Sequence, residues 1–281
     1  MQKDVFGLIY AGEENMNLRE LVNERSVSAL PIGGRYRVID FVLSNMVNTG
    51  IRNIGVIPKL KYQSLMDHLG SGKEWDLSRK TDGLFILPPF DTVENGGMHK
   101  GTVDIVRGAS SYIRRASQKY CLLCGSYTLY SAVYDKMFEQ HMDTGADITI
   151  LYNVEQEPSS DIKFKDLRLA TDENGRVTDI QFKSANCAYN KVGMDMYLIK
   201  KDLLMYLLDD AASHGKYDLV QDVIIGNLDK LKVYGYEHKG YVGRLTSVAS
   251  YYKINMDFLK PEVQKELFYT GYPVYTKVKD H

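Results

Sequence analysis

Most features that would narrow the class of this protein at once are scarce or missing. Only three cysteines occur in 281 residues, Cys121, Cys124 and Cys187. That is too few for a small secreted scaffold held together by disulfides, and it suits a reducing cytoplasm. Cys121 and Cys124 have C-x-x-C spacing, but they lie inside the apolar run YCLLCG. A zinc or redox pair sits in a polar loop with more ligands, so buried strand thiols are expected. No apolar run reaches membrane-spanning length. The N-terminus lacks the basic-then-apolar layout of a signal peptide. The net charge of −1 offers no positive surplus for nucleic acid. His68, His99, His141, His214 and His238 show no metal-ligand spacing and read as surface or helix-end residues. Tryptophan is present once and tyrosine 21 times, which fits a polar cleft or an interface.

The remaining properties are those of an ordinary globular protein, 44% hydrophobic and 25% charged. Strand-like and helix-like segments alternate. The run Val5–Tyr10 is apolar throughout. From Tyr36 to Gly50, apolar residues at 38, 39, 42, 43, 46 and 47 follow helical spacing, closed by the glycine. NIGVI, GLFILPPF, YCLLCGS and DITILYNV read as strands; YQSLMDHL, TVDIVRGASSYIRRA and KMFEQHMDTG read as helices between them. This alternation predicts an α/β fold with a mostly parallel central sheet flanked by helices, whose ligands bind beyond the carboxyl ends of the strands. Further on, LRLATDENGRVTDIQFK reads as a hairpin about Asn174-Gly175.

The first strand ends in a puzzle. Ala11-Gly12 turns the chain and a helical pattern starts at Leu18, the layout of a phosphate-binding turn. Yet the turn reads Glu13-Glu14-Asn15-Met16-Asn17, with two carboxylates and no cation. A carboxylate 4 Å from a phosphate costs roughly 4 kcal/mol at an effective dielectric of 20, where a cation would gain as much.

The stretch LPIGGRYRVIDFVLSNMVNTGIRNIGVI, residues 30–57, resembles the ADP-glucose pyrophosphorylases, the glucose-1-phosphate adenylyltransferases of glycogen and starch synthesis. KGTVDIV and YDLVQDVI match further motifs, and the likeness runs from about residue 4 to residue 260. The resemblance implies a Rossmann-like nucleotidyltransferase domain over about residues 1–255. It also implies that residues 256–281 lead toward a left-handed β-helix domain that this chain lacks.

Such an enzyme needs cations around the phosphates and a Mg²⁺ ion held by carboxylates. Against the family pattern, Glu14 and Asn17 replace two loop arginines and Val27 replaces a lysine. Ser126 and Arg244 replace the two metal-binding aspartates. What remains of the nucleotide and sugar-phosphate cleft is Gly12, Gly101, Thr102, Asp104 and Lys183. Taken as bare sequence, Gly101, Thr102 and Asp104 equally read as a helix N-terminus. Asp218 and Asp222 read as caps. Arg25, Arg35 and Arg37 match basic positions that bind phosphorylated effectors in the family, while Glu24 and Pro31 depart from it.

The resemblance therefore implies a non-catalytic, regulatory-type subunit without a metal of its own, Mg²⁺ belonging to a catalytic partner. The expected assembly is a hetero-oligomer, a tetramer, in the cytoplasm, responsive to small phosphorylated effectors. The alternatives are an active enzyme recruiting Asp91 or Glu13 for metal, and a sensor of sugar phosphate or nucleotide acting alone.

Overall fold

The computed structural model describes residues 2–11, 16–88, 101–155, 167–182 and 188–278. In chain order the strands are β1 (Val5–Tyr10), β2 (Pro31–Ile32), β3 (Tyr36–Arg37), β4 (Asn53–Ile57), β5 (Gly83–Ile86), β6 (Tyr120–Cys124) and β7 (Thr128–Leu129). They continue as β8 (Ile148–Val154), β9 (Leu167–Thr171), β10 (Val177–Phe182), β11 (Lys191–Lys200), β12 (Val233–Glu237) and β13 (Gly243–Arg244). The α-helices are α1 (Val38–Asn48), α2 (Gln63–Leu69), α3 (Thr102–Gly108), α4 (Ser110–Arg115), α5 (Asp135–Asp143), α6 (Lys201–Ser213), α7 (Val248–Asp257) and α8 (Pro261–Phe268).

Nine strands form one sheet, with the path β10-β9-β11-β6-β1-β4-β5 and β8 joining β11 to β12. Its centre is parallel, as the alternation predicts: β1 lies between β6 and β4, and β5 follows β4. β11 runs antiparallel to both β6 and β8. The sheet is therefore mixed beyond β6: β9 and β10 form a hairpin, and β12 pairs with β8 in parallel.

Both faces of β1 are covered, so the strand is apolar without alternation. Phe6, Leu8 and Tyr10 enter a core with Val103, Val106 and Ile113 from α3 and α4, and with Leu204, Leu207 and Leu208 from α6. Val5 and Ile9 enter the opposite core, with Ile39, Val42, Leu43 and Met46 from α1 and Met137 and Phe138 from α5. Helix α1 packs so tightly here that a Cβ on Gly7 would lie 2.5 Å from Met46 Sδ.

A third core holds Val27, Leu30, Val38, Phe41, Tyr127, Leu245, Phe258, Val263 and Leu267. It seats α7 and α8 against the N-terminal end of α1. Helix α1 is thus buried from Val38 to Val47, and its polar residues are spoken for. Asn45 Nδ2 donates to the Tyr130 carbonyl at 3.0 Å, and the Tyr275 amide donates to Ser44 Oγ at 2.9 Å.

Two expectations need correcting and a third is sharpened. The segment from Leu18 is not an α-helix: Met16–Val22 is 3-10 structure interrupted at Arg19, whose φ is 47°. The helix expected from Thr102 to Ala116 is divided into α3 and α4 at Ala109. His68 and His141 are at helix ends but are not surface residues, being 4% and 1% exposed. Burial is possible because each ring meets a polar partner: His68 Nε2 is 2.6 Å from Asp40 Oδ1, and His141 Nδ1 is 2.7 Å from Thr149 Oγ1. Cys121 and Cys124 are buried free thiols in β6, as their apolar run predicts. No described helix is long and apolar enough to cross a membrane.

Candidate active site

The carboxyl ends of β1 and β6 meet beside the short ribbon of β7 and β13. In that ribbon Arg244 pairs with Thr128, and the Leu245 amide donates to the Tyr127 carbonyl at 3.0 Å. Ser126 lies in the bend between β6 and β7, two residues before the Thr128 that pairs with Arg244.

Their side chains are engaged separately. Ser126 is 2% exposed, and its hydroxyl is 2.6 Å from that of Ser28, itself 1% exposed. Ser28 Oγ donates to the Ala11 carbonyl at 3.2 Å, so Ser126 donates to Ser28. The chain Ser126–Ser28–Ala11 closes the gap between β6 and the start of the turn after β1. Val27, next to Ser28, is 3% exposed and packs in the third core.

Arg244 reaches across to β8 and β11. Its guanidinium donates to Asn153 Oδ1, to Glu155 Oε1 at 3.4 Å and to the Val192 carbonyl at 3.2 Å. Glu155 also receives Arg168 Nη2 at 3.0 Å, and Arg168 is 2% exposed. Two guanidiniums thus grip one carboxylate at the end of β8. On the outer side of Arg244 a groove of about 350 Å³ opens between β13 and α7, lined by Tyr241, Thr246, Ser250 and Lys253 among others.

This donor set does not fit a Mg²⁺ ion. One of the two positions offers a neutral hydroxyl already bound to Ser28, and the other a cation. Mg²⁺ takes oxygen ligands, usually carboxylate and phosphate, in near-octahedral geometry. Among the described residues no group of three His, Cys, Asp or Glu side chains gathers to hold a metal.

Gly101, Thr102 and Asp104 form the N-terminal end of α3, with Gly101 at the cap position. A Cβ on Gly101 would lie 2.3 Å from the Tyr217 carbonyl. That carbonyl accepts from the Val103 amide at 2.9 Å, and Thr102 Oγ1 accepts from the Leu219 amide at 3.0 Å. Asp218 Oδ1 accepts from the Val220 and Gln221 amides, and Asp222 Oδ2 from those of Tyr217 and Asp218. Asp218 and Asp222 thus take the capping roles that their spacing suggests, whereas Thr102, expected to cap α3, instead serves Leu219 because Gly101 occupies the cap position.

Arg37, beside the start of α1, feels the charge of Arg25. Burial lowers the pKa of Arg37, and the charge of Arg25 lowers it further, partly opposed by Asp40. Arg37 donates from its side chain to the Ala29 carbonyl and from its amide to Asp40 Oδ2 at 2.9 Å. Arg35 sits apart on the exposed turn before β3, with its guanidinium over the Tyr36 ring. Asn17 is exposed. Gly12, Glu13, Glu14, Asp91 and Lys183 lie outside the described residues.

Two residues that match no family motif also belong to this region. Asp195, inside β11, is 6% exposed and accepts hydrogen bonds from the hydroxyls of Tyr10 and Tyr197. Glu155 receives Arg168 and Arg244. The signal for Asp195 is a lone acid in the apolar run VGMDMYLI; that for Glu155 is its place directly after Val154, at the carboxyl end of a strand where ligands of such sheets bind.

The matched profile covers residues 6–260 and is that of the nucleotidyl transferases. The chain belongs to this family, in its ADP-glucose pyrophosphorylase branch. It is 35% identical over 280 residues to the glycogen biosynthesis protein GlgD of Geobacillus stearothermophilus, which covers 100% of this chain and 71% of the relative. It is 30% identical over 279 residues to GlgD of Bacillus subtilis strain 168, covering 98% of this chain and 69% of the relative. It is 33% identical over 263 residues to the glucose-1-phosphate adenylyltransferase of Halalkalibacterium halodurans, covering 92% and 68%.

Proposed function

We propose that this chain is a regulatory, non-catalytic subunit acting in glycogen biosynthesis. Its partner is a catalytic glucose-1-phosphate adenylyltransferase, which converts ATP and glucose 1-phosphate to ADP-glucose and diphosphate with its own Mg²⁺. One observation carries the reading: the positions that would hold the metal are a serine satisfied by Ser28 and an arginine engaged with Glu155. A phosphoryl-transfer site works by positioning and neutralising charge, and these two groups do neither for a metal–triphosphate complex. Likeness both to proteins named GlgD and to adenylyltransferases supports a role in the same process.

In physical terms regulation means binding one state of the hetero-oligomer better than another. Arg37, at the N-terminal end of α1, and Arg25, whose charge lowers the Arg37 pKa, are the candidates for reading a phosphorylated effector, because an anion near them would offset that unfavourable charge. Arg35, on the exposed turn before β3 with its guanidinium over the Tyr36 ring, is a third candidate by the family resemblance alone.

The test is an assay of ADP-glucose formation with Mg²⁺, using this chain alone and mixed with a catalytic homologue. No turnover alone, with a changed rate or effector response in the mixture, is expected. Substantial turnover by this chain alone would overturn the reading in favour of an active enzyme with an unusual site. Failure to co-elute with the homologue would remove the hetero-oligomer.

A further inference from the structure

Ligands of a parallel α/β sheet lie beyond the carboxyl ends of its strands. At the end of β1 that space already has an occupant supplied by the chain. Asp195 has φ 53°, the left-handed region that glycine favours. The pairing of β11 with β8 changes register between Gly193 and Tyr197, so the ladder steps around it. The departure aims a carboxylate into the end of the sheet. There it accepts from the Tyr10 hydroxyl, on the last residue of β1, and from Tyr197 Oη at 3.3 Å. The carbonyl of the same residue accepts from the Gly125 amide at 3.0 Å, one residue before Ser126. Asp195 therefore ties together the ends of β1 and β6, the two strands whose ends would frame a bound substrate.

Little room is left. The hollow bordered by Tyr10, Thr102, Asp195, Tyr197, Asp218 and Leu219 has about 20 Å³ in which a water-sized molecule can be centred. That is room for about one water and not for a sugar ring. A buried non-glycine residue in this conformation persists only where its surroundings hold it. Here the two tyrosine hydroxyls and the Gly125 amide do so.

We propose that Asp195 is a built-in occupant of the cleft floor and excludes sugar phosphates from it. Its carboxylate takes the hydroxyl donors and the volume that a bound sugar would use. This goes beyond the regulatory reading, which concerns turnover, because it states that binding is blocked as well as chemistry.

Calorimetric titration of glucose 1-phosphate into the full chain tests it, with D195G, D195N and Y10F beside the wild type. Wild type and D195N, which keeps the volume, should show no saturable heat. D195G should bind at least about tenfold more tightly than wild type. Y10F, which removes one tether without enlarging the floor, should fall between them. Saturable wild-type binding within tenfold of D195G overturns the proposal, as does a folded D195G that stays silent. If D195G does not fold, wild-type binding or a silent Y10F overturns it. A wild-type chain that binds no sugar phosphate and also fails to alter its partner would uphold this inference and sink the regulatory one.

Discussion

The hydroxyls of Ser28 and Ser126 lie 2.6 Å apart, both buried, with Ser28 passing the chain of donors on to the Ala11 carbonyl. Two small neutral groups satisfy each other at a position for which the family resemblance implies a metal-binding carboxylate. Nothing in this arrangement calls for a cation, and a carboxylate there would find none among the partners named.

Ser126→Asp should therefore destabilise the protein, by about 3 kcal/mol, because it buries a charge without a counter-ion. Denaturant unfolding measures it. The variant should also gain no ADP-glucose synthesis, since Arg244 still stands at the second metal position. Activity from this single change would show that one carboxylate suffices.

Arg244→Ala should cost about 3 kcal/mol, because it leaves the Val192 carbonyl without that donor and takes one of two guanidiniums from Glu155. Arg244→Lys should recover only part of the loss, since an ammonium lacks the planar fork that reaches several acceptors at once. Thermal melts of the two variants separate charge from geometry.

The stability of the protein should fall as pH drops from about 6.5 toward 4. Burial lowers the His141 pKa from 6.5 to about 4, aided by Lys200 and opposed by Asp147. Between those values the unfolded chain holds a proton on this imidazole that the folded chain refuses. The contribution is complete above pH 6.5, shrinks through the window and is flat below it. It amounts to at most about 3 kcal/mol. The slope over that window should be shallower in His141→Asn.

Gly101→Ala should destabilise by about 1–3 kcal/mol through overpacking. Its φ of −177° is open to any residue, so the strain is one of space alone: the new methyl would meet the Tyr217 carbonyl. A melt no lower than that of the wild type would show that α3 can withdraw from Tyr217.

How much of this was legible beforehand depends on how local each determinant is. β1, α1, β4, β6 and β8 were readable because a fully buried strand and a periodic helix carry their signal within the segment. The antiparallel insertion of β11 was not, because its partners β6 and β8 are decided by packing between distant segments. The 3-10 geometry at Arg19 was hidden for another reason: the apolar spacing of Leu18, Leu21 and Val22 suits a helix whichever backbone carries it. At the site, sequence pointed to Ser126 and Arg244 through their departure from a family pattern. It could not say what those residues do instead, since Ser28 lies 98 positions from Ser126 and Glu155 lies 89 from Arg244. The buried histidines follow the same rule, for Asp40 and Thr149 make them tolerable and only folding brings them together.

The ribbon of β7 and β13 is a two-stranded pair of two-residue strands, separate from the nine-stranded sheet. So short a ladder opens at a lower free energy than the long strands beside it, although Arg244 must then release Asn153 and Val192. Backbone amides of Gly243 and Leu245 should then exchange with solvent sooner than those of β1.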